Sequence, residues 1–416
     1  MPDTITAEVR IDKVVAGGDG LARGDDGRVV FVPGALPGER VRVRLTSAKR
    51  DFGRAELLEV LDAHPGRVEP PCPYVAAGCG GCSWQHVAAD TQRELKHAIV
   101  LESLVRTGRL VDPMVGLAAP LPDTGFRTTL RLAVTPDGRV GFRARARHDV
   151  VPVEHCLVAH PQLDELLAPL RVEGTGAADA EVVLRLGVGS GQRGAALAVE
   201  DGAPVPTLAG LPDDVAVGDH VAVHEDIRGA WLRVSMGSFF QTRRDGAEAL
   251  VDQVAAAIGT RPASVVDAYG GVGLFAATVG ADGDVVVLEG SASSCADARQ
   301  NLRGAGVVVQ APVEKWVPRP VEVVIADPSR SGLGKVAASV LTATAAPTFV
   351  LVSCDAVSLA RDAALLAGHG YGHAGSVVLD LFPHTPHVEV VTRFAARTET
   401  EHGHTIQAGD GYEYGS

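Results

Sequence analysis

Four of the six cysteines have spacings that suit an inorganic centre. Cys72, Cys79 and Cys82 lie in one glycine-rich segment, and Cys156, preceded by Glu154-His155, is the natural fourth ligand. Four thiolates fit either tetrahedral zinc or a 4Fe–4S cluster. Zinc sites usually use two short cysteine pairs, so the distant Cys156 favours iron–sulfur and leaves zinc as the alternative. Buried cysteines without a metal are the third interpretation.

Cys354 differs from these cysteines because it follows an apolar run, 349–352, that is typical of a buried strand, with only Ser353 between them. A thiol at a strand end is either a covalent nucleophile or a small buried side chain, and its position alone leaves both open. Asp327-Pro328 places an acid and a rigid turn after the preceding apolar run, 323–326. Cys295, inside a predicted helix, is expected to fill the core.

A glycine-rich turn after an apolar strand predicts a ligand-binding loop over residues 265–273. Glu289 ends the next predicted strand, where an acid can hydrogen-bond ribose hydroxyls. This pattern also satisfies a dinucleotide fingerprint, so it does not separate nicotinamide from S-adenosylmethionine. Asp327 and Cys354 favour the methyl donor, because a dehydrogenase has no evident need for either residue.

The elements around these residues predict a multidomain protein. Short alternating strands and glycine-rich turns near the N-terminus indicate a small β-barrel of the oligonucleotide-binding (OB) type. The middle of the chain is β-rich and of the α+β kind, and the last third alternates apolar strands with helices, as in an α/β Rossmann-like fold. The predicted boundaries are 1–62 for the barrel, 63–240 for a central domain with the cysteines, 241–396 for the cofactor domain and 397–416 for a tail.

The charge distribution bears on partners and location. The net charge of −13 counts against nucleic acid, but a whole-chain sum can hide a basic face. Two arginine-rich segments, 40–54 and 127–147, are candidate phosphate-binding surfaces, with a salt-bridged strand face as the equal alternative. The sequence has no pattern of a signal peptide and no apolar stretch that would span a membrane, so we expect a cytoplasmic protein.

Nearly the whole chain resembles the RNA uracil-C5 methyltransferase family, in nine segments that occur in the same order. The N-terminal segments ITAEVRIDKVVAGGDGLAR and FVPGALPGERVRVRL resemble the TRAM domain, an RNA-binding barrel. The other segments are CPYVAAGCGGC with EHC, FRTTLRLAV with VGFRARARHDVV, GSFFQ, VVDAYGGVGLFA, VVLEGS, ADPSRSGLG, VSCDAVSLARD and LDLFPHTPHVEVV.

The resemblance implies S-adenosylmethionine-dependent methylation of C5 of a flipped-out uridine in structured RNA, with large-subunit rRNA slightly favoured over tRNA. It also implies a 4Fe–4S cluster and a monomer. The implied roles are nucleophile for Cys354, base for Glu389 and a place beside uracil and donor for Asp327. The implied donor site is Gln241, Tyr269, Gly271, Gly273, Glu289 and Asp327; the cluster ligands are Cys72, Cys79, Cys82 and Cys156; the RNA contacts are Arg127, Arg131, Arg143 and Arg330.

Three positions depart from the family pattern: Ser329 replaces a proline, Asp355 an asparagine and Arg243 an asparagine. A thiol of ordinary pKa is mostly protonated at neutral pH, so we expect a lowered pKa, with Arg330 as a cause, or a nearby proton acceptor. His384 and His387 precede Glu389, but Pro386 disfavours a ligand-bearing helix, so RNA contact or local hydrogen bonding is favoured over a metal. The alternatives are methyl transfer to another base or a small molecule, and a non-catalytic RNA-binding protein.

Overall fold

The computed structural model describes residues 6–397, apart from 25, 146, 201, 203–204 and 281–282. All but the first residue of the predicted tail, 397–416, lies outside the described residues. Within the described part of the chain, no helix combines the length and apolar character needed to cross a bilayer.

The N-terminal strands close into a barrel with the strand order β1-β2-β3-β5-β4. Successive side chains of a strand alternate between its faces, so every second residue points inward. Ile11, Val32 and Val41 are buried in this way and fill the interior. The predicted barrel is therefore confirmed, with strands β1 (Thr6–Val14), β2 (Asp19–Arg23), β3 (Val29–Pro33), β4 (Arg40–Ala48) and β5 (Phe52–Asp62).

The middle of the chain is β-rich, as predicted. A mostly antiparallel sheet has the order β14-β12-β11-β7-β8-β9, and two further antiparallel pairs, β10-β13 and β15-β16, form separate two-stranded sheets. The elements are α1 (Pro73–Ala76), α2 (Ala89–Arg106), β6 (Val115–Leu117), β7 (Thr129–Val134), β8 (Val140–Arg143), β9 (Val150–Pro152), α3 (Pro161–Asp164), β10 (Arg171–Glu173), β11 (Glu181–Gly187), β12 (Gln192–Ala198), β13 (Thr207–Ala209), β14 (Val215–Val217), β15 (Ala222–Ile227) and β16 (Ala230–Ser235).

The last third forms an eight-stranded sheet with the order β19-β18-β17-β20-β21-β23-β22-β6. Its central strands are parallel and buried on both faces, which explains their continuous apolar sequences. The elements are α4 (Arg244–Ile258), β17 (Ser264–Ala268), α5 (Leu274–Thr278), β18 (Asp284–Glu289), α6 (Ala292–Leu302), β19 (Val307–Gln310), β20 (Val323–Ala326), α7 (Gly334–Thr342), β21 (Thr348–Ser353), α8 (Ala356–Gly368), β22 (Tyr371–Leu379) and β23 (Glu389–Ala396).

Two segments from the middle of the chain, β6 and α2, are part of the eight-stranded sheet and its core. β6 is the edge strand of the eight-stranded sheet and pairs in parallel with β22. Ile99, Val100 and Leu104 of α2 are buried in the same core as strands of this sheet. Residues within the predicted central domain, 63–240, thus pack directly against the sheet that carries Cys354 and Glu389, and the domain boundary at 240 stays a prediction.

Candidate active site

The glycine-rich loop after β17 lies at the carboxyl end of the sheet, where ligands bind in open α/β folds. Tyr269 has a φ of 60° and Gly273 a φ of 83°, so the chain turns sharply there before α5 begins. Glu289, at the end of β18, accepts hydrogen bonds from the backbone N–H groups of Gly271 (3.0 Å) and Ser291 (2.7 Å). The predicted acid therefore holds the loop in place.

Predicted site residues line two cavities, one with about 410 Å³ of empty space and one with about 330 Å³. The smaller one lies over the glycine-rich loop and is lined by Gln241, Tyr269, Gly271 and Asp327, together with exposed Phe239 at its rim. The structure thus brings together four members of the predicted donor site. Gly273 and Glu289 adjoin the cleft through α5 and the bond to Gly271.

Asp267 is a buried acid that the sequence analysis did not single out. It is the last residue but one of β17, and its Oδ2 accepts a hydrogen bond of 2.9 Å from the N–H of Ala276 in α5, while its buried Oδ1 makes no hydrogen bond within the described structure. Burial, and to a smaller extent Glu289, raises the pKa of Asp267 to about 7. An acid inside the otherwise apolar run 265–268 was the signal that could have found it.

The lack of space for a side chain beside Asp267 explains why the loop needs a glycine at position 270. A Cβ atom there would lie 2.8 Å from Cγ1 of Val287 and 2.9 Å from Cγ of Asp267. Both distances are far below van der Waals contact, and neither neighbour is free to move because both are buried.

The strand register brings Cys354 and Glu389 together. β21 pairs with β23 so that Val352 faces Val391 and Ser353 faces Val390, and the next positions along are Cys354 and Glu389. Glu389 is buried and Cys354 is half-buried. An antiparallel strand inserted beside β21 therefore places the predicted base against the predicted nucleophile.

Three carboxyl groups share this end of the sheet. Burial and the neighbouring Asp267 raise the pKa of Asp327 to about 7. Burial, and then the charge of Asp327, raises the pKa of Glu389 well above its usual range. Carboxyl groups so close together in a buried site hold protons that isolated surface acids would lose at neutral pH.

The thiol of Cys354 is protonated in this environment, which corrects the expectation of a lowered pKa. Burial, followed by the charges of Glu389 and Asp327, raises the pKa of Cys354 to about 11, and Arg330 acts in the opposite direction. The direction expected for Arg330 is right, but the two carboxylates and desolvation outweigh it. The other half of the expectation, a nearby proton acceptor, stays a prediction, because Asp327 and Glu389 can accept a proton only in their ionised forms.

The three residues that depart from the family pattern differ in their contacts and burial. Asp355 caps α8 by accepting a hydrogen bond of 2.7 Å from the N–H of Ser358, which an asparagine oxygen would also do. Arg243 is buried, pairs with Asp245 (2.7 Å) and lies 4.3 Å above the ring of Phe126. Ser329 is exposed, and its hydroxyl lies 2.9 Å from that of Ser331.

The loop after Asp327 is braced by the helix that follows the nucleophile. Oδ2 of Asp362, in α8, accepts a hydrogen bond of 2.7 Å from the N–H of Leu333, and its Oδ1 accepts one of 3.3 Å from Gly334. The guanidinium of Arg361 also donates to the carbonyl of Ser331. Arg330 lies exposed on this loop, with its guanidinium 3.4 Å from Nε2 of His387.

All four predicted ligand cysteines line the larger cavity: Cys72, Cys79, Cys82 and Cys156. Burial raises the pKa of Cys156 to about 11 and also raises the pKa values of Cys79 and Cys82. Among the residues that the structure describes, no group of three or more metal-ligating side chains has the geometry of a metal site. The side chains share a cavity but do not converge on one point.

The predicted RNA-binding arginines lie in different surroundings. Arg127 lines the cysteine cavity and is half-buried, and its Nε makes no hydrogen bond within the described structure. Arg131 is exposed and 3.6 Å from Glu181, and Arg143 is exposed with a long contact of 3.4 Å to the carbonyl of His148. Arg330 differs from these three because its charge acts on the Cys354 thiol and lowers the pKa of that group.

A cofactor-type cleft beside a thiol and carboxyl groups, at the carboxyl end of this sheet, defines an S-adenosylmethionine-dependent methyltransferase. Residues 6–58 match the model of the TRAM domain. An uncharacterized RNA methyltransferase of Streptomyces avermitilis is 36% identical over 92% of this chain and 96% of its own length. The 23S rRNA (uracil(1939)-C(5))-methyltransferase RlmD of Alkalilimnicola ehrlichii is 32% identical over 93% of this chain and 96% of its own length.

A solved structure gives the same picture of the fold. The tRNA (uracil-54, C5)-methyltransferase of Pyrococcus abyssi, in complex with S-adenosyl-L-homocysteine, superposes with a TM-score of 0.70 at 23% identity. The match covers 94% of this chain and 100% of that one. Together with the relatives above, it shows that this chain belongs to the RNA uracil-C5 methyltransferase family, as the resemblance implied.

Proposed function

We propose that this protein transfers a methyl group from S-adenosylmethionine to C5 of one uridine in structured RNA, through a covalent bond between Cys354 and C6 of uracil. The observation that carries the proposal is the β21–β23 register, which puts Cys354 beside Glu389 next to the cleft lined by Asp327. Large-subunit rRNA is the favoured substrate, because relatives of about 32% identity are named for a 23S rRNA uracil.

The chemistry requires a nucleophile because C5 of uracil is too electron-poor to accept a methyl group unaided. Sulfur adds to C6, and the resulting enolate attacks the sulfonium methyl group, which releases S-adenosylhomocysteine. Glu389 then removes the C5 proton, the C6–S bond breaks, and 5-methyluridine leaves.

The proton of the thiol also needs a destination, since the thiol is protonated in the free protein. Asp327 takes this proton as sulfur attacks uracil and returns it to sulfur when the C6–S bond breaks. Glu389, whose pKa is raised by burial, first gives up its own proton to solvent, then accepts the C5 proton and finally releases that proton to solvent as well. Each carboxylate thus carries one proton, and the two roles do not compete.

The half-buried position of Cys354 supports a target nucleotide that leaves its base stack. A stacked uracil cannot reach both this sulfur and a donor in the adjoining cleft, so the nucleotide has to flip out. Flipping is least costly for a loop nucleotide, and structured RNA offers many of these. We further propose that the protein acts in the cytoplasm, where its RNA substrate is, and as a monomer.

The test uses RNA in which the target uridine is 5-fluorouridine. Fluorine at C5 cannot be removed as a proton, so the wild-type protein with S-adenosylmethionine should form an RNA–protein adduct that survives denaturation. Cys354→Ala should form none, and unmodified RNA should leave little adduct with the wild type. Methylation of normal RNA by Cys354→Ala at the wild-type rate would refute the covalent scheme.

Separate RNA fragments distinguish the substrates. We expect a 23S rRNA fragment to be methylated faster than a tRNA transcript under the same conditions. Equal rates with a free nucleoside would instead favour a small-molecule methyltransferase. Tight RNA binding without any methyl transfer would favour a non-catalytic RNA-binding protein.

We also propose that Cys72, Cys79, Cys82 and Cys156 hold a 4Fe–4S cluster. Their common cavity, with about 410 Å³ of empty space, and the burial that opposes thiolate formation both fit a cationic centre that would stabilise thiolates. When bound, such a cluster supplies a cross-link between the cysteine loop and the segment around Cys156. Anaerobically purified protein should absorb broadly in the visible range; colourless protein with stoichiometric zinc would overturn this proposal.

A further inference from the structure

The loop Asp380–Val388, here called the base loop, joins β22 to β23 and directly precedes Glu389. Its first residue follows Leu379, the register partner of Glu389. The position of the base therefore depends on how this loop is held, and most of the groups that hold it come from outside the α/β core.

A buried lysine of α2 anchors the start of the base loop. Lys96 is 0% exposed, and its Nζ donates hydrogen bonds to Oδ1 of Asp380 (2.6 Å) and to the carbonyl oxygen of Phe382 (2.9 Å). Burial lowers the pKa of Lys96, and Asp380 counteracts that effect. A charge buried this deeply is kept only where its partners are fixed, so the pair defines one position for the loop.

A buried glutamine one turn earlier in α2 anchors the middle of the loop. Oε1 of Gln92 accepts a hydrogen bond of 2.6 Å from the N–H of His384, and its Nε2 donates one of 2.8 Å to the carbonyl of Val87. His384 has a φ of 64°, a conformation that side-chain-bearing residues seldom adopt without support. Its Nε2 lies 3.0 Å from the carbonyl oxygen of Asp123.

The end of the base loop contacts the N-terminal barrel. A Cβ atom at Gly18, in the β1–β2 turn, would lie 2.6 Å from Cβ of Pro386 and 2.9 Å from Nε1 of Trp84. The backbone N–H of Trp84 donates a hydrogen bond of 2.8 Å to the backbone carbonyl of His384. The barrel, α2 and the segment that contains Cys79 and Cys82 thus all contact the base loop.

We infer that Lys96 is a positioning residue for Glu389 and that it acts through the base loop. The inference rests on the proposed covalent mechanism with Glu389 as the base. Cys354 directly follows β21, and the lining of the donor cleft contains no residue of the base loop, so displacing the base loop leaves both in place. Sulfur addition and methyl transfer then continue, while removal of the C5 proton slows, because proton transfer tolerates little misplacement.

This selective effect gives a readout that a loss of folding would not produce. RNA with normal uridine is incubated with donor labelled in the methyl group, and the label is divided into an RNA pool linked to protein after denaturation and a free RNA pool. We expect Lys96→Met to raise the protein-linked share at least about fivefold, as Glu389→Gln should. A general loss of active protein lowers both pools and leaves their ratio unchanged.

Two further variants keep the test valid if Lys96→Met folds poorly. Lys96→Met with Asp380→Asn removes both buried charges and should fold better, yet should still raise the ratio because the loop has lost its anchor. Val182→Ala, in the distant core of the central sheet, is a matched destabilised control and should leave the ratio at the wild-type value.

The outcomes distinguish a failure of this inference from a failure of the proposed mechanism on which it rests. If Glu389→Gln raises the protein-linked share and the folded double variant does not, Lys96 has no positioning role. If Glu389→Gln itself leaves the share unchanged, the assignment of the base is wrong, and the role of Lys96 falls with it.

Discussion

At the scale of single residues, the environment of Cys354 is opposed to an ionised thiol. Desolvation and two carboxyl groups raise its pKa, and the positive charge of Arg330 acts in the opposite direction. Under the proposed mechanism, this balance would keep the sulfur unreactive until uracil and a proton acceptor are both in place. A free thiolate would be open to oxidation and alkylation between catalytic cycles.

Removing Arg330 should make the thiol less acidic. In Arg330→Ala we expect alkylation of Cys354 by iodoacetamide at about pH 8 to slow several-fold, because a smaller fraction of the sulfur is ionised. Mass spectrometry of the peptide that contains Cys354 measures the rate separately from the other cysteines. Arg319→Ala, which removes an exposed arginine 2.6 Å from Asp284, is the matched control, and an unchanged rate in Arg330→Ala would contradict the prediction.

At the scale of elements, the carboxyl ends of β17 and β20 and the start of β23 bring three acids into one buried place. Asp267 shows how burying an acid affects the stability of the folded protein. Its pKa is about 7 in the folded protein and near 4 in an unfolded chain, so between these values the folded state binds a proton that the unfolded state has released. Stability from this group is therefore highest at low pH and is lost as the pH rises towards about 7.

Asp267→Asn should remove that pH dependence, because an amide keeps the acceptor for the N–H of Ala276 but does not ionise. We expect the variant to be more stable than the wild type at about pH 8, by a few kcal/mol at most, and to differ less at about pH 5. Thermal unfolding at both pH values measures this. A variant that is destabilised equally at the two values would show that the charge of Asp267 is stabilised by the fold.

At the scale of the whole molecule, the barrel carries two kinds of basic residue. The β4 arginines face acids on neighbouring strands: Arg40 lies 2.8 Å from Asp62, Arg42 lies 3.1 Å from Glu8, and Arg44 pairs with Glu56. Lys49 instead lies 5.2 Å from the centre of the Phe52 ring, beside exposed Arg50. Phe52 is in edge contact with Phe31, and aromatic rings with nearby cations are typical of single-strand binding.

The paired and the aromatic-flanked cations should therefore differ in RNA binding. Lys49→Ala with Arg50→Ala should weaken binding of the rRNA fragment and reduce the salt dependence of the binding constant by about 1 to 2 in a double-logarithmic plot. Arg42→Ala with Arg44→Ala should change both quantities less, since those charges are already neutralised. Equal effects of the two double variants, measured over a range of KCl concentrations, would contradict this assignment.

The candidate active site was predictable where a reactive or ligand-binding residue follows the end of an apolar strand. Cys354, Asp327 and the glycine-rich loop each follow an apolar strand, and parallel strands bring their carboxyl ends to one edge. Asp267 and Lys96 were missed because each is a single polar residue in an ordinary context. Only their complete burial, a property of the packed molecule, makes them unusual.

By itself the sequence determined the barrel, the α/β layer and the donor loop, because alternation, apolar runs and glycines act over a few neighbouring residues. Tertiary structure decided which distant groups meet. The β21–β23 register pairs Cys354 with Glu389, and cross-strand contacts neutralise the β4 arginines. It also turned Arg127 towards the cysteine cavity and set the thiol pKa high. Burial and long-range electrostatics depend on all neighbours of a group at once, and these are defined only when the chain is folded.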